Sequence, residues 1–303
     1  MAFLIGGANT LAAGIVTYDN GIFAYGISGG LESVSNLVSN TGVIATDTTG
    51  VGTARYGLSG CSYGEDKGIF AYGNTGVHVS MSNLVSNTGV VATDTTGVGT
   101  ARTYVTSCEF GSDLAIFGFG ETSSKKGMTN LVSNTGVIAT DTSAVGSAKT
   151  QMGACSFAGD QGIFAFGKDA SNSLTSESNI VSNTGVVATD VTGVGTSRRL
   201  LAATEYGEDK GIFYNGNASG GRTNVSNLVS NTGVIATDTT GVGTAREGPA
   251  GCTYGGDLGI FSYGHPGGTI AAYSNLVSNT GVIATDTSGV GTARYNVAGC
   301  SYN

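Results

Sequence analysis

The sequence has no tryptophan, two prolines, two histidines and little charge, with Asp, Glu, Lys and Arg making up 11% of its 303 residues. Two prolines and no Gly-X-Y period exclude a collagen-like chain. Sparse charge without a heptad excludes a coiled coil. Every apolar run is broken by Gly, Thr, Ser or Asn well short of the roughly 18 residues that a membrane-spanning helix needs. No run of Lys or Arg exists, and 13 Lys+Arg against 21 Asp+Glu give −8, a sign that repels a phosphate backbone. HExxH, the P-loop and a Cys/His pair are all missing, so an enzyme is not expected. The start, MAFLIGGANT, lacks the basic segment of a signal peptide, so synthesis in the cytoplasm with reduced thiols is expected.

Glycine and repetition are what the sequence has in plenty. Glycine is 52 of 303 residues, against a usual share of roughly 7%. An apolar share of 40% and a mean hydropathy of +0.12 argue for a packed core rather than disorder. NLVSNTGV begins at Asn36, Asn83, Asn130, Asn227 and Asn275, with NIVSNTGV at Asn179. A second anchor places Phe23, Phe70, Phe117, Phe164, Phe213 and Phe261 in the same rhythm. A third, GVGTAR and its variants, ends at Arg55, Arg102, Lys149, Arg198, Arg246 and Arg294. Six units of about 48 residues fill nearly the whole chain.

Each unit reads as four short strands. In residues 56–102, a small-residue strand Tyr56–Tyr63 precedes the turn Gly64–Lys67 and the apolar strand Gly68–Gly73. Ser82–Ser86 and Val90–Thr93 then flank the tight connection Asn87-Thr88-Gly89. No segment keeps a 3.6-residue period, so the expected class is all-β. Four strands repeated six times predict one domain over 1–303, a six-bladed β-propeller of four-stranded antiparallel blades, with an open solenoid as rival. The first-strand pattern occurs seven times, at Leu11–Tyr18 and again at Tyr295–Tyr302 among others. The expectation is that the C-terminal copy completes the first blade and residues 1–20 form an arm or displaced strand; the reverse assignment stays open. A spare strand could also pair with another chain.

The units resemble kelch repeats of the galactose-oxidase type. Arg55-Tyr56 through Gly73 follows the kelch order of arginine, small-residue strand, turn and apolar strand closing on glycine. Asn83 through Arg102 matches the later half, with GVGTAR where kelch units carry Pro-Met-Pro-x-x-Arg. The kelch double glycine is replaced by Gly73-Asn74, and the loop histidines match no galactose-oxidase copper site. The near-verbatim phrases are also similar to kelch-like repeat proteins of marine bacteriophages, and FLIGGANT with Tyr18-Asp19-Asn20 is similar to the start of some phage virion and tail proteins. The resemblance implies a propeller carried in a virion or tail.

Two aspartates recur in each unit. One set is Asp19, Asp66, Asp113, Asp160, Asp209 and Asp257; the other is Asp47, Asp94, Asp141, Asp190, Asp238 and Asp286. Turn-amide hydrogen bonding is the favoured reading, with calcium the alternative; no cofactor is otherwise expected. Arg55, Arg102, Arg198, Arg246 and Arg294 are expected to lock one unit to the next through Asp or carbonyl groups, an anion-binding ring being the alternative. Cys61, Cys108, Cys155, Cys252 and Cys300 occupy one repeat position, so they read as small buried filler rather than a disulfide framework or a soft-metal ring.

The six copies differ in two places: the loop after the second strand and the pair of residues after the arginine. In an up-and-down blade both emerge on one face, with the constant SNTG turns opposite. That face is the expected ligand site, with candidate contacts Tyr56, His78, Tyr104, Lys125, Lys126, Lys168, Arg222, His265 and Tyr273. The expectation is a non-enzymatic binding propeller of a virion, meeting a host-surface glycan or protein. The alternative is a structural component assembling through its termini or constant face with other virion proteins.

Overall fold

The computed structural model describes residues 17–143 and 146–303. Among them there is no helix, hence none long and apolar enough to cross a membrane. Most of the strands form six large antiparallel three-stranded sheets, and five two-residue strands make a small three-stranded sheet (Arg198–Arg199, Asn217–Ala218, Gly221–Arg222) and a pair (Lys149–Thr150 with Lys168–Asp169). Sheet 1 joins Asn20–Ile27 and Leu31–Val38 to the C-terminal Ala298–Tyr302. Sheet 2 holds Ser59–Tyr63, Lys67–Ala71 and Ser82–Val85, and sheet 3 holds Thr106–Phe110, Leu114–Gly118 and Thr129–Val132. Sheet 4 holds Gly153–Phe157, Gln161–Ala165 and Ser178–Val181. Sheet 5 holds Ala202–Tyr206, Lys210–Tyr214 and Ser226–Val229, and sheet 6 holds Ala250–Tyr254, Leu258–Ser262 and Ser274–Val277.

The fourth strand of each unit is the correction. Its segment makes only isolated bridges, Val85↔Val91 and Ser82↔Thr95 in sheet 2, with the register slipping by one residue between them. The slip falls beside Asn83, whose Nδ2 donates to Ala92 O at 2.9 Å and to Asp94 Oδ1 at 2.9 Å. A side-chain amide replaces the ladder bonds that a continuous strand would have made. The first-strand copy beginning at Leu11 lies outside the described residues up to position 16. The strand that pairs with Asn20–Ile27 is the C-terminal one, with Ile22 opposite Cys300.

The middle strands explain the apolar anchor. Ile69, Phe70 and Ala71 are all fully buried, because neighbouring sheets cover both faces. Inner strands touch in the order of sheets 1 to 6, and the inner strand of sheet 6 touches Ala298–Tyr302 of sheet 1. Each sheet's aromatic residue meets the next sheet's phenylalanine, edge-on in five of the six pairs and tilted between Tyr214 and Phe261: Tyr25 lies 5.5 Å from Phe70, Tyr72 5.5 Å from Phe117, and finally Tyr263 5.7 Å from Phe23.

The arginine of each GVGTAR phrase spans that seam. Arg102 is fully buried, with its guanidinium carbon 4.3 Å from the Tyr72 ring centre. It donates to Phe119 O at 2.7 Å, Thr100 O at 3.1 Å and Asn130 Oδ1 at 2.8 Å. Arg294 does the same between sheets 6 and 1, over Tyr263 and onto Tyr25 O and Asn36 Oδ1. In the third unit Lys149 takes this place, paired with Asp190 and with Glu177 at 3.2 Å.

A second set of ties runs through the aspartates. Thr53 donates its N–H and hydroxyl to Asp94 of the following unit, and Thr292 does so to Asp47. These donors, with Asn36 or Asn83, hold the carboxyls of Asp47 and Asp94 below the usual range against the opposing effect of partial burial. Lys149, Asn179 and Ser147 likewise overcome burial and hold Asp190 at about 2.

At the end bearing the SNTG turns, backbone amides reach the next unit's turn aspartate: Gly64 N to Asp113 O, Gly111 N to Asp160 O, Ala158 N to Asp209 O and Gly207 N to Asp257 O. Gly255 N to Asp19 O and Asn303 N to Asp66 O carry the series through both termini. The turns themselves leave no room for change. Gly89 has φ +74, and a Cβ there would lie 2.5 Å from Tyr302 Oη of the preceding sheet.

The five cysteines are buried between sheets, with Cys108 against Gly162 and Cys155 against Gly211 of the following middle strand. Burial pushes every thiol up, Cys61 to about 12.

Candidate functional site

The two variable segments meet. Residues after each arginine bridge to residues after each middle strand: Tyr56 to Asn74, Thr103 to Glu121, Thr150 to Lys168, Arg199 to Asn217, Glu247 to His265 and Ile27 to Tyr295. Both sets therefore occupy the end of the sheets away from the SNTG turns.

At this end every unit passes through a residue of positive φ on its way to the inner strand. These are Gly57, Tyr104, Gln151, Leu200, Gly248 and Asn296, with φ between 52° and 65°. A non-glycine residue in this region costs roughly 1–2 kcal/mol, so the surroundings must enforce it. Backbone bonds between neighbouring units do so: Tyr104 N to Gly57 O at 2.6 Å, Leu200 N to Gln151 O at 2.9 Å, Gly248 N to Leu200 O at 2.8 Å and Asn296 N to Gly248 O at 2.8 Å. These residues rim a cavity of about 110 Å³ lined by all six sheets.

Tyr56 and Tyr104 come together at the rim, ring centres 5.9 Å apart and edge to face. Burial, then Tyr56 and Glu121, push the Tyr104 hydroxyl up to about 12. Arg222 and His265 also come together. Arg222 donates to His265 O at 2.8 Å and to Glu247 at 2.7 Å, and lies 3.1 Å from His265 Nδ1. The His265 ring lies 5.4 Å from Tyr295, so this group is braced from within. Lys125 pairs with Glu121 at 3.8 Å and donates to Asn172, while Lys126 donates to Ser124. Desolvation, then Arg199 and Lys125, lower the pKa of Lys168. His78 has a buried Nδ1 with no partner, and Tyr273 stands apart, 39% exposed.

Sequence reasoning left out Arg199, Gln151 and Asn296, although they belong to the variable pairs after the arginine. Arg199 donates to Gln151 Oε1 at 3.0 Å, and its charge works against the upward shift of the Tyr104 hydroxyl. It also missed two glutamates on the inner strands. Glu109 and Glu205 stand where the other units carry Ser62, Ser156, Thr253 and Ser301, beside a cavity of about 70 Å³ at the SNTG end. Tyr18 covers it, 3% exposed, and donates to Glu109 Oε1 at 2.6 Å. Burial raises the Glu109 carboxyl to about 8 and Glu205 well above its usual range. An acid in a column of hydroxyls was the available signal.

Compared with known proteins, the chain matches no family model and no curated sequence.

Proposed function

We propose that the chain is a six-bladed, kelch-like β-propeller closed by its C-terminal strand, and that it is a non-enzymatic binding module of a bacteriophage virion or tail. Its variable end meets a host-surface glycan or protein. The propeller reading is supported by the ties from sheet 6 to sheet 1 through Arg294, Asp47 and Tyr263. One observation carries the function: Gly57, Tyr104, Gln151, Leu200, Gly248 and Asn296, which differ among six near-identical units, line one cavity, and the residues before them bridge to the variable loops. Elsewhere sequence constancy has a packing cause, as at Gly89, whereas these loops are free of that constraint. Aromatic faces with amide and hydroxyl neighbours suit sugar rings and their hydroxyls. The two histidines are outside any acid–base pair, His265 facing Arg222 and Gly267 N.

A glycan-array screen with the purified chain is the test, repeated on a variant in which the residue 74–82 and 121–129 loops are exchanged. Binding that follows the loops supports the proposal; binding untouched by the exchange, or absent on glycans and host cells alike, overturns it.

The scaffold reading has one observation in its favour. Val43, Val90, Val137, Val186, Val234 and Val282, one per SNTG turn, are each 63–65% exposed. Six regularly placed apolar side chains at one end would suit docking to a neighbour. Self-association lost on replacing them with Asp, at unchanged glycan binding, would favour it.

A further inference from the structure

All thirteen cations can be accounted for. Arg55, Arg102, Lys149, Arg198, Arg246 and Arg294 are fully buried seam residues. Lys67 and Lys210 lie in turns at the SNTG end, each paired with the aspartate before it. The other five are at the variable end, where Arg222 is held by Glu247. Lys125, Lys126, Lys168 and Arg199 remain, in a chain whose net charge is −8.

These four share one sector, on the third, fourth and fifth units. Lys168 bridges Thr150; the next residue, Gln151, accepts from Arg199; and Lys125 reaches Asn172 in the loop that follows Lys168. The carboxylates interspersed are Glu121, near Lys125, and Asp169, whose Oδ1 accepts from Ser171 N and Ser173 N. The sector is thus net positive, and among the described residues the Lys168 ammonium makes no ion pair or hydrogen bond, Glu121 acting on it only from beyond ion-pair distance. Its lowered pKa has the same origin, desolvation first and then two cations close by. Tyr104 borders the sector, its ring fixed by a left-handed backbone and by Tyr56.

Four cations against two carboxylates, with the Lys168 ammonium unpaired among them and a fixed aromatic face alongside, make a site suited to an anion. The geometry points to an acidic saccharide as the ligand of the variable end: a carboxylate or sulfate among Lys125, Lys168 and Arg199, with the sugar ring against Tyr104. This deepens the proposed glycan reading and rests on it. The surrounding negative charge disfavours a long polyanion such as nucleic acid, which would have to cross it.

The test is isothermal titration with three tetrasaccharides: tetragalacturonate, chondroitin sulfate tetrasaccharide and neutral cellotetraose, plus a ten-residue thymidine oligonucleotide. The proteins are the wild type, Lys168→Gln/Arg199→Gln, Tyr104→Ala, and Lys67→Gln as a control at the opposite end. One or both acidic sugars bind at least tenfold more tightly than cellotetraose and weaken with added salt. The double substitution removes that preference, Tyr104→Ala weakens sugar binding, and Lys67→Gln changes nothing. Carboxylate and sulfate are told apart by which acidic sugar wins. Tighter binding of the oligonucleotide, or equal binding of both acidic sugars by the double variant, overturns the assignment. Cellotetraose binding best at the same loops would sink the acidic preference while leaving the glycan reading intact; no saccharide binding on these or on the array would sink both.

Discussion

Replacing Arg102 by Met tests how the sheets are joined. The substitution keeps most of the aliphatic volume beside Tyr72 but removes every donor. Phe119 O, Thr100 O and Asn130 Oδ1 lose the guanidinium at 2.7, 3.1 and 2.8 Å. A stranded buried acceptor costs about 1–2 kcal/mol, so three give roughly 3–5 kcal/mol. Asp141 adds little, since it stands 3.8 Å away and is 30% exposed, and such pairs are worth about 0–1 kcal/mol. The internal control is Arg198, equally buried, which donates to Asn215 O at 2.9 Å and Thr196 O at 3.1 Å. Its Nη2 has no partner, nor has Asn227 Oδ1, and desolvation lowers its pKa to about 10. Arg198→Met therefore strands fewer acceptors and relieves an unpaired donor, and should cost about 1–2 kcal/mol less than Arg102→Met. Urea titrations followed by tyrosine fluorescence and far-UV circular dichroism measure both, as shifts in midpoint at unchanged slope. A loss below about 1 kcal/mol for Arg102→Met, or a larger loss for Arg198→Met, would refute the seam argument.

Four further outcomes are expected. Glu109, raised from the usual 4.5 to about 8, binds its proton more tightly folded than unfolded. Stability contributed by this group is therefore greatest below about pH 4.5 and falls until pH 8; Glu109→Gln should flatten the slope of unfolding free energy between pH 5 and 8, and an unchanged slope would contradict it. The Asp190 contribution has the opposite sign and a separate window, being lost only as pH falls from about 4 to 2. None of the five thiols should react with iodoacetamide at pH 8 in the native protein, and all should in denaturant, as read by mass spectrometry. Deleting residues 295–303 uncovers Phe23 and Ile22 and removes Asn303, which bonds to Asp19 and Thr17; the truncated chain should be protease-sensitive or self-associating, and a stable monomer would refute closure by that strand.

Much of the architecture was legible because repetition exposes it. Five copies of Gly-Ile-Phe and one of Ala-Ile-Phe marked the doubly buried middle strands, and of the two first-strand patterns left open by the sequence it is the expected C-terminal one that pairs with Asn20–Ile27. The fourth strands were misread as ladders: Val90–Thr93 has strand-like composition, but the Asn83 side chain takes over bonds that the backbone would have made. Among candidate contacts, the variable loops were readable as a class. Arg199 was not singled out, since its relation to Lys168 and Tyr104 depends on units brought side by side.

The sequence by itself determined the all-β class, the six-unit rhythm and which positions vary, since periodicity and composition are local properties of the chain. Only the tertiary structure decided what the repeated polar residues do. Arg102, Asp141 and Asn130 could each have served a ligand. Packing sheet against sheet buries the arginine and gathers acceptors from two units around it, because a buried charge must find partners at the seam. Tertiary structure likewise gathered four cations into one sector, since like charges spaced tens of residues apart meet only when neighbouring units stand side by side.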